Sequence, residues 1–516
     1  MDISKYVEIL SSEKRSWFSS KDNLEERLAA LANILEKGSP STIHSLIPYL
    51  KDKNKRVQNA TCNTIIGLFS KIDSKRGYYD ALKHCDISLS DIDFYENAFT
   101  KNQFTQLLSI ASLNWSGYVR EKAVQKLSVS RDEKAIQFII YRLADWVPEV
   151  RQTALRGIEI FKKPENLEAF LENLQIFEWL QKVERTDLSS VYNRLLDFIL
   201  NQNREYVHRN FTLIQDKSRL LLARHISHSA DTDLNDRKLL LNDKHFFIRN
   251  LALDHFDKLS ATEINRLLSD RSSTVRLNLL RKLQTRHDFI ELIRSFLADD
   301  GVSIREFARY SLKNEVADFA AIYNDNLIQN RKIFGSICGL GETGGKQFSW
   351  SLERFLTDGT IRLRKAAFIA LTKLDEATAF RFAIANLDSE FAGIRNVAIR
   401  FLQTKANLEM LEKARQIYQN GNGEIRKAML KMFGRIGGWT TLADIMLGTI
   451  DENEGLRNLS VEYLQRWRQN AARLFIQPKP HERERTRQVL NFAFTVHEDK
   501  RYFAQNPLNG IDFYLR

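Results

Sequence analysis

Apolar residues recur along this chain in paired stretches at helical spacing, each pair divided by a short polar turn. Ile136, Ile139, Ile140 and Leu143 form one such stretch and Val150, Ala154, Leu155 and Ile158 the next, with Asp145 between them. This spacing lines one face of each stretch with apolar side chains, so the repeating element is a helix, a turn and a second helix. The turn and second helix share a phrase: an Asp or Asn, four variable residues, an aliphatic residue, an Arg, two more residues and usually an Ala. It pairs Asp145 with Arg151, Asp243 with Arg249, Asp270 with Arg276, Asp299 with Arg305, Asp358 with Arg364 and Asp451 with Arg457. Arg364, Arg395, Arg426 and Arg457 follow one another at intervals of 31 residues, as do Arg120 and Arg151.

Self-similarity at this period predicts a stacked array in which each unit buries its apolar face against its neighbours. The fold class is therefore all-α: an α-solenoid of stacked antiparallel helix pairs. Second helices are expected to begin near Val57, Val119, Val150, Ile248, Val275, Ile304, Leu363, Ile394, Ile425 and Leu456, with a degenerate unit around Arg331 after Asp325. About fourteen pairs would fill the chain. The turn Asp or Asn can cap the second helix, and Ala lets paired helices approach closely. Residues 1–470 are read as one solenoid with irregular repeats near 70–110 and 160–240, and 471–516, set off by Pro478 and Pro480, as a C-terminal capping element.

The phrase over about 30 residues resembles the HEAT repeat, and in particular the short bacterial variety known as phycobilisome-lyase-type HEAT-like repeats. The stretches Gly339-Leu340-Gly341-Glu342-Thr343-Gly344-Gly345 and Phe433-Gly434-Arg435-Ile436-Gly437-Gly438 resemble that variety's link into the next first helix. The resemblance covers most of residues 41–470; Gln58 in place of the anchor Arg and Ser389 in place of Asp depart from it. It implies that turn Asp and second-helix Arg form a structural hydrogen-bonded ladder. Nine anchor arginines would then face seven Asp, two Asn and one Ser. It also implies that second helices line the concave surface where partners bind.

Composition fits a folded chain: 43% hydrophobic and 28% charged residues, with no window resembling the ~20 apolar residues of a membrane span. Cys62, Cys85 and Cys338 are scattered and odd in number, which argues against disulfides and a zinc cluster, and Met1–Tyr6 reads as no secretory leader. The expected location is the cytoplasm. The formal net charge is +12, of which the ladder accounts for little, so the excess lies on exposed faces.

Two places could use that charge. Residues 466–487 carry Arg466, Arg468, Arg473, Arg483, Arg485 and Arg487 with Trp467 and Phe475 interleaved, a patch able to attract phosphate or, more simply, the polar face of a cap. The concave positions, six after each aliphatic anchor, read Asn63, Gln125, Arg156, Asp254, Arg281, Tyr310, Ile369, Arg400, Lys431 and Glu462. Four basic and two acidic residues make a mixed face that suits a protein partner at least as well as nucleic acid. Trp115 and Trp146, each just after a turn residue and 31 apart, stack on one edge of adjacent repeats, either as a binding hot spot or as lids on the core.

Catalytic motifs fail on inspection. Gly341–Gln347 lacks the first glycine and the final hydroxyl of a phosphate loop, and the histidines at 208, 225, 228 and 245 with Asp231 and Asp233 have no metal-ligand spacing. HEAT-like alkylpurine DNA glycosylases carry an Asp one turn after a Trp; here Lys21, Val119, Val150, Val183, Arg354, Ala443 and Ala471 stand there instead. The expected function is a non-enzymatic scaffold or adaptor binding another protein, without a cofactor, metal, membrane or small-molecule substrate. The alternative is DNA or RNA binding in a basic groove.

Overall fold

The computed structural model describes residues 3–11, 23–72, 75–82, 84–184, 186–229, 232–471, 477–499, 502–503 and 505–515. Among these residues every regular element is helical and no strand occurs. The chain divides into two compact units, Met1–Glu263 and Ile264–Arg516, each an α-solenoid of stacked helix pairs. No described helix is long and apolar enough to cross a membrane.

Each of the ten expected second helices begins two residues before its aliphatic anchor, from Lys55–Phe69 and Gly117–Val129 to Gly423–Ile436 and Glu454–Ala471. The regularity has a packing cause. Ala123, Ala154, Ala252, Ala308, Ala367 and Ala398, four residues after the anchor, are all completely buried where neighbouring helices meet. Consecutive second helices pack on one another within a unit, as Gly117–Val129 does on Pro148–Phe161 and Ile333–Thr343 on Ile361–Leu374. Glycines permit the closest approaches: a Cβ on Gly335 would lie 2.0 Å from the Ala298 carbonyl oxygen.

The stretches at 70–110 and 160–240 are helical but broken. In the first, Leu89–Ala98 and Lys101–Ala111 are held apart by two capping boxes, Ser88 with Asp91 and Thr100 with Gln103. In the second, Leu167–Glu172 and Leu174–Leu180 bend at Asn173, and Ser189–Asp197 runs into a π-turn at Phe198–Gln202.

The ladder has two halves. Five turn aspartates accept the backbone N–H of the residue just before their second helix: Asp145 from Val147, Asp243 from His245, Asp270 from Ser272, Asp299 from Gly301 and Asp451 from Asn453. One edge of the anchor guanidinium donates back to carbonyls of the same turn. Arg151 reaches Asp145 and Trp146, Arg249 reaches Asp243 and Lys244, Arg276 reaches Asp270, and Arg457 reaches Asp451 and Glu452. The other edge grips the carboxylate of the next turn, as Arg120 does on Asp145 and Arg276 on Asp299. Arg426 likewise pairs with Asp451.

Two positions of the expected ladder, Asp358 and the Asn before Arg426, are corrected. Asp358 is exposed and does not engage Arg364, because the Thr360 hydroxyl caps that helix and Gly359, at φ +96°, turns the loop outward. Arg364 donates to the Leu356 carbonyl at 2.8 Å and lies over the Phe391 ring. Asn420 ends the helix Leu408–Asn420, and Asn422 supplies the cap. The degenerate unit expected around Arg331 is present as the pair Phe319–Ile328 and Ile333–Thr343, with Arg331 in the turn between Asn330 and Lys332, both with positive φ; it offers Glu342, which Arg305 and Arg309 clasp. Finally, the irregular segment hides an anchor: Arg219, 1% exposed, donates to the Ile214 carbonyl and pairs with Asp243 at 2.9 Å.

Asp145 is 1% exposed on its side chain and is held by Arg120 and Arg142, so Asp145→Ala strands two guanidiniums and is expected to cost about 3–5 kcal/mol. Asp358→Ala, by contrast, should change stability by less than about 0.5 kcal/mol. Urea melts of the two variants followed by circular dichroism check the contrast, and equal losses would refute the ladder as drawn. Acid should unfold the protein in two stages. Burial holds His225 and His497 below the ordinary histidine value of 6.5, so the unfolded chain binds those protons first and stability begins to fall below that pH. Burial opposes the charge on Asp145, Asp451 and Glu342, but arginine hydrogen bonds outweigh it and hold all three carboxyls below their ordinary values. Their contribution is complete above about pH 4 and is lost as pH falls through the lowered values, a second drop visible in melting temperatures taken from pH 7 to pH 3.

Candidate functional site

Trp115 and Trp146 follow the turn residues Asn114 and Asp145 and point away from the core, 73% and 75% exposed. They do not act as lids. With Tyr79, Tyr141 and Trp179 they wall a cleft of about 400 Å³ in the first unit. Tyr79 comes from the short helix Lys75–Leu82 and Trp179 from Leu174–Leu180, so the broken segments on either side of the regular repeats complete the cleft. Behind it Tyr78 packs edge-on to Phe138 and Tyr141, a buried aromatic cluster that fixes the walls.

The base of the cleft is charged. Asp145 accepts both edge donors of Arg120 and one from Arg142 at 2.9 Å, leaving two guanidiniums against one carboxylate. Burial pushes the Arg142 guanidinium down, and Asp145 opposes that shift. Rigid rings over a surplus positive charge can grip flat or apolar groups and orient a carbonyl or carboxylate beside them. The spacing of 31 residues marked Trp115 and Trp146 in the sequence, whereas Tyr79, Tyr141 and Trp179 carry no periodic signal and were missed.

The row six residues after each anchor is exposed at all ten positions, including Arg156, Arg281, Tyr310, Arg400 and Lys431. Arg156 also hydrogen-bonds the Thr153 hydroxyl at 3.3 Å. Tyr310 is 68% exposed, with the Lys313 ammonium 5.0 Å from its ring centre. This common register follows from the identical starting points of the second helices.

The arginine patch at 466–487 is largely spent on internal contacts. Arg468 donates to the carbonyls of Pro507 and Asn509, and Arg485 reaches Asp444 at 2.6 Å. Arg466 pairs with Glu462, and Arg483 hydrogen-bonds Gln477, leaving Arg487 exposed. Trp467, a stacking ring only on the phosphate-binding reading of the patch, is 4% exposed, donates to the Gly438 carbonyl and sits edge-on between Trp439 and Tyr514. Arg473 and Phe475 lie outside the described residues. Helix Pro480–Glu498 packs on Leu442–Gly448, where buried His497 meets Thr449 at 2.8 Å.

Among the described residues no group of His, Cys, Asp and Glu is arranged to hold a metal. His208 pairs with Asp236 and His225 with the Tyr192 hydroxyl, while Asp231 lies outside the described residues. Burial pushes the Cys62 and Cys85 thiols up to about 12, and Cys338 also upward, the opposite of an activated nucleophile. Gly341 lies within helix Ile333–Thr343 and Gly344 caps its end, so that stretch forms no phosphate loop.

No family model matches the sequence, and no curated protein matches it. Among solved structures the chain is similar to Kap121p, at 9% identity over 99% of this chain and 68% of that one, with a TM-score of 0.32. It is similar also to yeast importin-beta (Kap95p), at 10% identity over 100% and 67% with a TM-score of 0.32. Importin beta in an ammonium sulfate condition gives 13% identity over 96% and 67% with a TM-score of 0.24. At these identities and scores no residue role passes from those proteins to this chain.

Proposed function

We propose that this protein is a non-enzymatic, cytoplasmic scaffold that binds another protein, and that its repeats are of the short bacterial HEAT-like variety, with 1–470 as the array and 471–516 as its cap. The observation that carries the reading is the aromatic cleft. Two tryptophans more than 70% exposed, side by side on a rigid edge with Tyr79 and Trp179, are costly to leave in water. Rigid rings that lose little entropy on binding are the usual anchors of protein interfaces. The exposed row, with Arg156, Arg281, Tyr310, Arg400 and Lys431, would add many modest contacts of complementary charge.

Nucleic-acid binding finds less support, since Trp467 is buried and Arg468 and Arg485 are turned inward. The test is affinity capture from the native cell at moderate salt, comparing the wild-type chain with Trp115→Ala/Trp146→Ala. The expected result is a stoichiometric protein partner, retained at least ~10-fold less by the variant, with no excess absorbance at 260 nm. Retention unchanged by the substitutions, or an eluate dominated by nuclease-sensitive material, would overturn the reading.

A further inference from the structure

The second unit carries a separate feature, where the exposed row is interrupted. Helix Ile333–Thr343 places Gly341 at the row position, and a Cβ there would lie 2.6 Å from that of Ala370. The helices therefore meet closely with no side chain above the contact, and a trough of about 490 Å³ opens over them. Small residues, Cys338, Ala366 and Ala370, form its floor, and Phe334, Ile361 and Ile369 its walls. Ile361 and Ile369 are 40% and 47% exposed.

The rim is basic. Arg305, Arg362, Lys365 and Lys373 line the trough against Glu342 alone, four charges minus one, or a surplus of three. Glu342 is already clasped by Arg305 and Arg309, so it does not repel an incoming anion. Arg362 stacks on Phe334 at 3.7 Å and meets Asp300 in an exposed pair. Among the described residues Lys365 and Lys373 make no ion pair. On the two following second helices Arg400 and Lys431 extend the positive face.

An apolar floor under a positive rim is complementary to a segment that is apolar on one face and acidic on the other. A nucleic-acid strand would match the rim but not the floor, which is aliphatic, while the one ring in the walls is covered by a guanidinium. Resting on the reading of the chain as a protein-binding scaffold, we infer that the trough between Ile333–Thr343 and Ile361–Leu374 docks an acidic amphipathic helix of a partner protein. Its apolar side chains would enter over Gly341, and its carboxylates would pair with Lys365 and Lys373.

The test uses the full chain and a fluorescein-labelled peptide of roughly 16 residues, long enough for several helical turns, with leucines on one face and Glu and Asp elsewhere. Controls replace its leucines by alanine, or its acids by lysine, and a labelled single-stranded DNA is run beside them. Saturable anisotropy is expected for the acidic amphipathic peptide alone. It should weaken by at least about tenfold in Lys365→Glu/Lys373→Glu and with rising salt. Ile369→Ala, which leaves every charge in place, should weaken it as well. Cys62 and Cys85 are 0% and 2% exposed, so maleimide labelling reports Cys338, and bound peptide should slow it. The inference fails if the acidic peptide shows no saturable binding, if its alanine version binds equally, if DNA binds in preference, or if the charge reversals have no effect. Each failure would leave the scaffold reading standing wherever capture still depends on Trp115 and Trp146, which belong to the first unit.

Discussion

A planar guanidinium with donors on two edges holds these repeats together. One edge satisfies carbonyls of the turn that precedes its helix, and the other reaches the carboxylate of the next turn, as Arg120 does between Asn114, Trp115 and Asp145. A single side chain thus ties turn, helix and following repeat, which a lysine ammonium could not do in fixed geometry. Burying that charge is costly unless both edges are met. The carboxylate in turn accepts the backbone N–H of the residue just before its own helix, so the turn into the helix and repeat stacking are one network. The constant starting point of the second helices, and with it the constant register of their exposed faces, depends on this arrangement.

Legibility in the sequence followed that network closely. Where the phrase was intact, as at Val150 and Ile304, the helix start was readable to within two residues, because anchor, turn carboxylate and close-packed alanine are fixed by the same contacts. Arg219 was invisible because Ser218 replaces the aliphatic anchor and Leu213 stands where the phrase has Asp or Asn, although the guanidinium donates to the Ile214 carbonyl and forms an ion pair with Asp243. Asp358 misled for the converse reason: the phrase is present, but Thr360 performs the cap. The arginine patch left two readings open because charge composition says nothing about direction; two of its side chains close the C-terminal region from within.

The candidate surfaces arise where regularity ends. The cleft is regular in Trp115 and Trp146, yet its remaining walls come from the broken helices at 75–82 and 174–180. Likewise the trough exists because Gly341 removes one side chain from an otherwise continuous row. Periodicity reveals the frame, and departures from it create concavity, which explains why the frame was the more legible of the two.

One departure bears on mechanics. Arg395 keeps its bond to the Ser389 carbonyl, but its Nε is a buried donor with no acceptor, since the helix that follows ends at Asn420 where another repeat would place a carboxylate. A chain of neighbour-coupled segments yields first at the coupling that is missing. Load applied along the second unit, by a partner that must bend it or by a machine that pulls on it, is therefore expected to open first the repeats joined without a carboxylate, those after Arg364, which faces Ser389, and after Arg395. Compliance in the second unit would then be placed by two absent carboxylates, at Ser389 and Asn420.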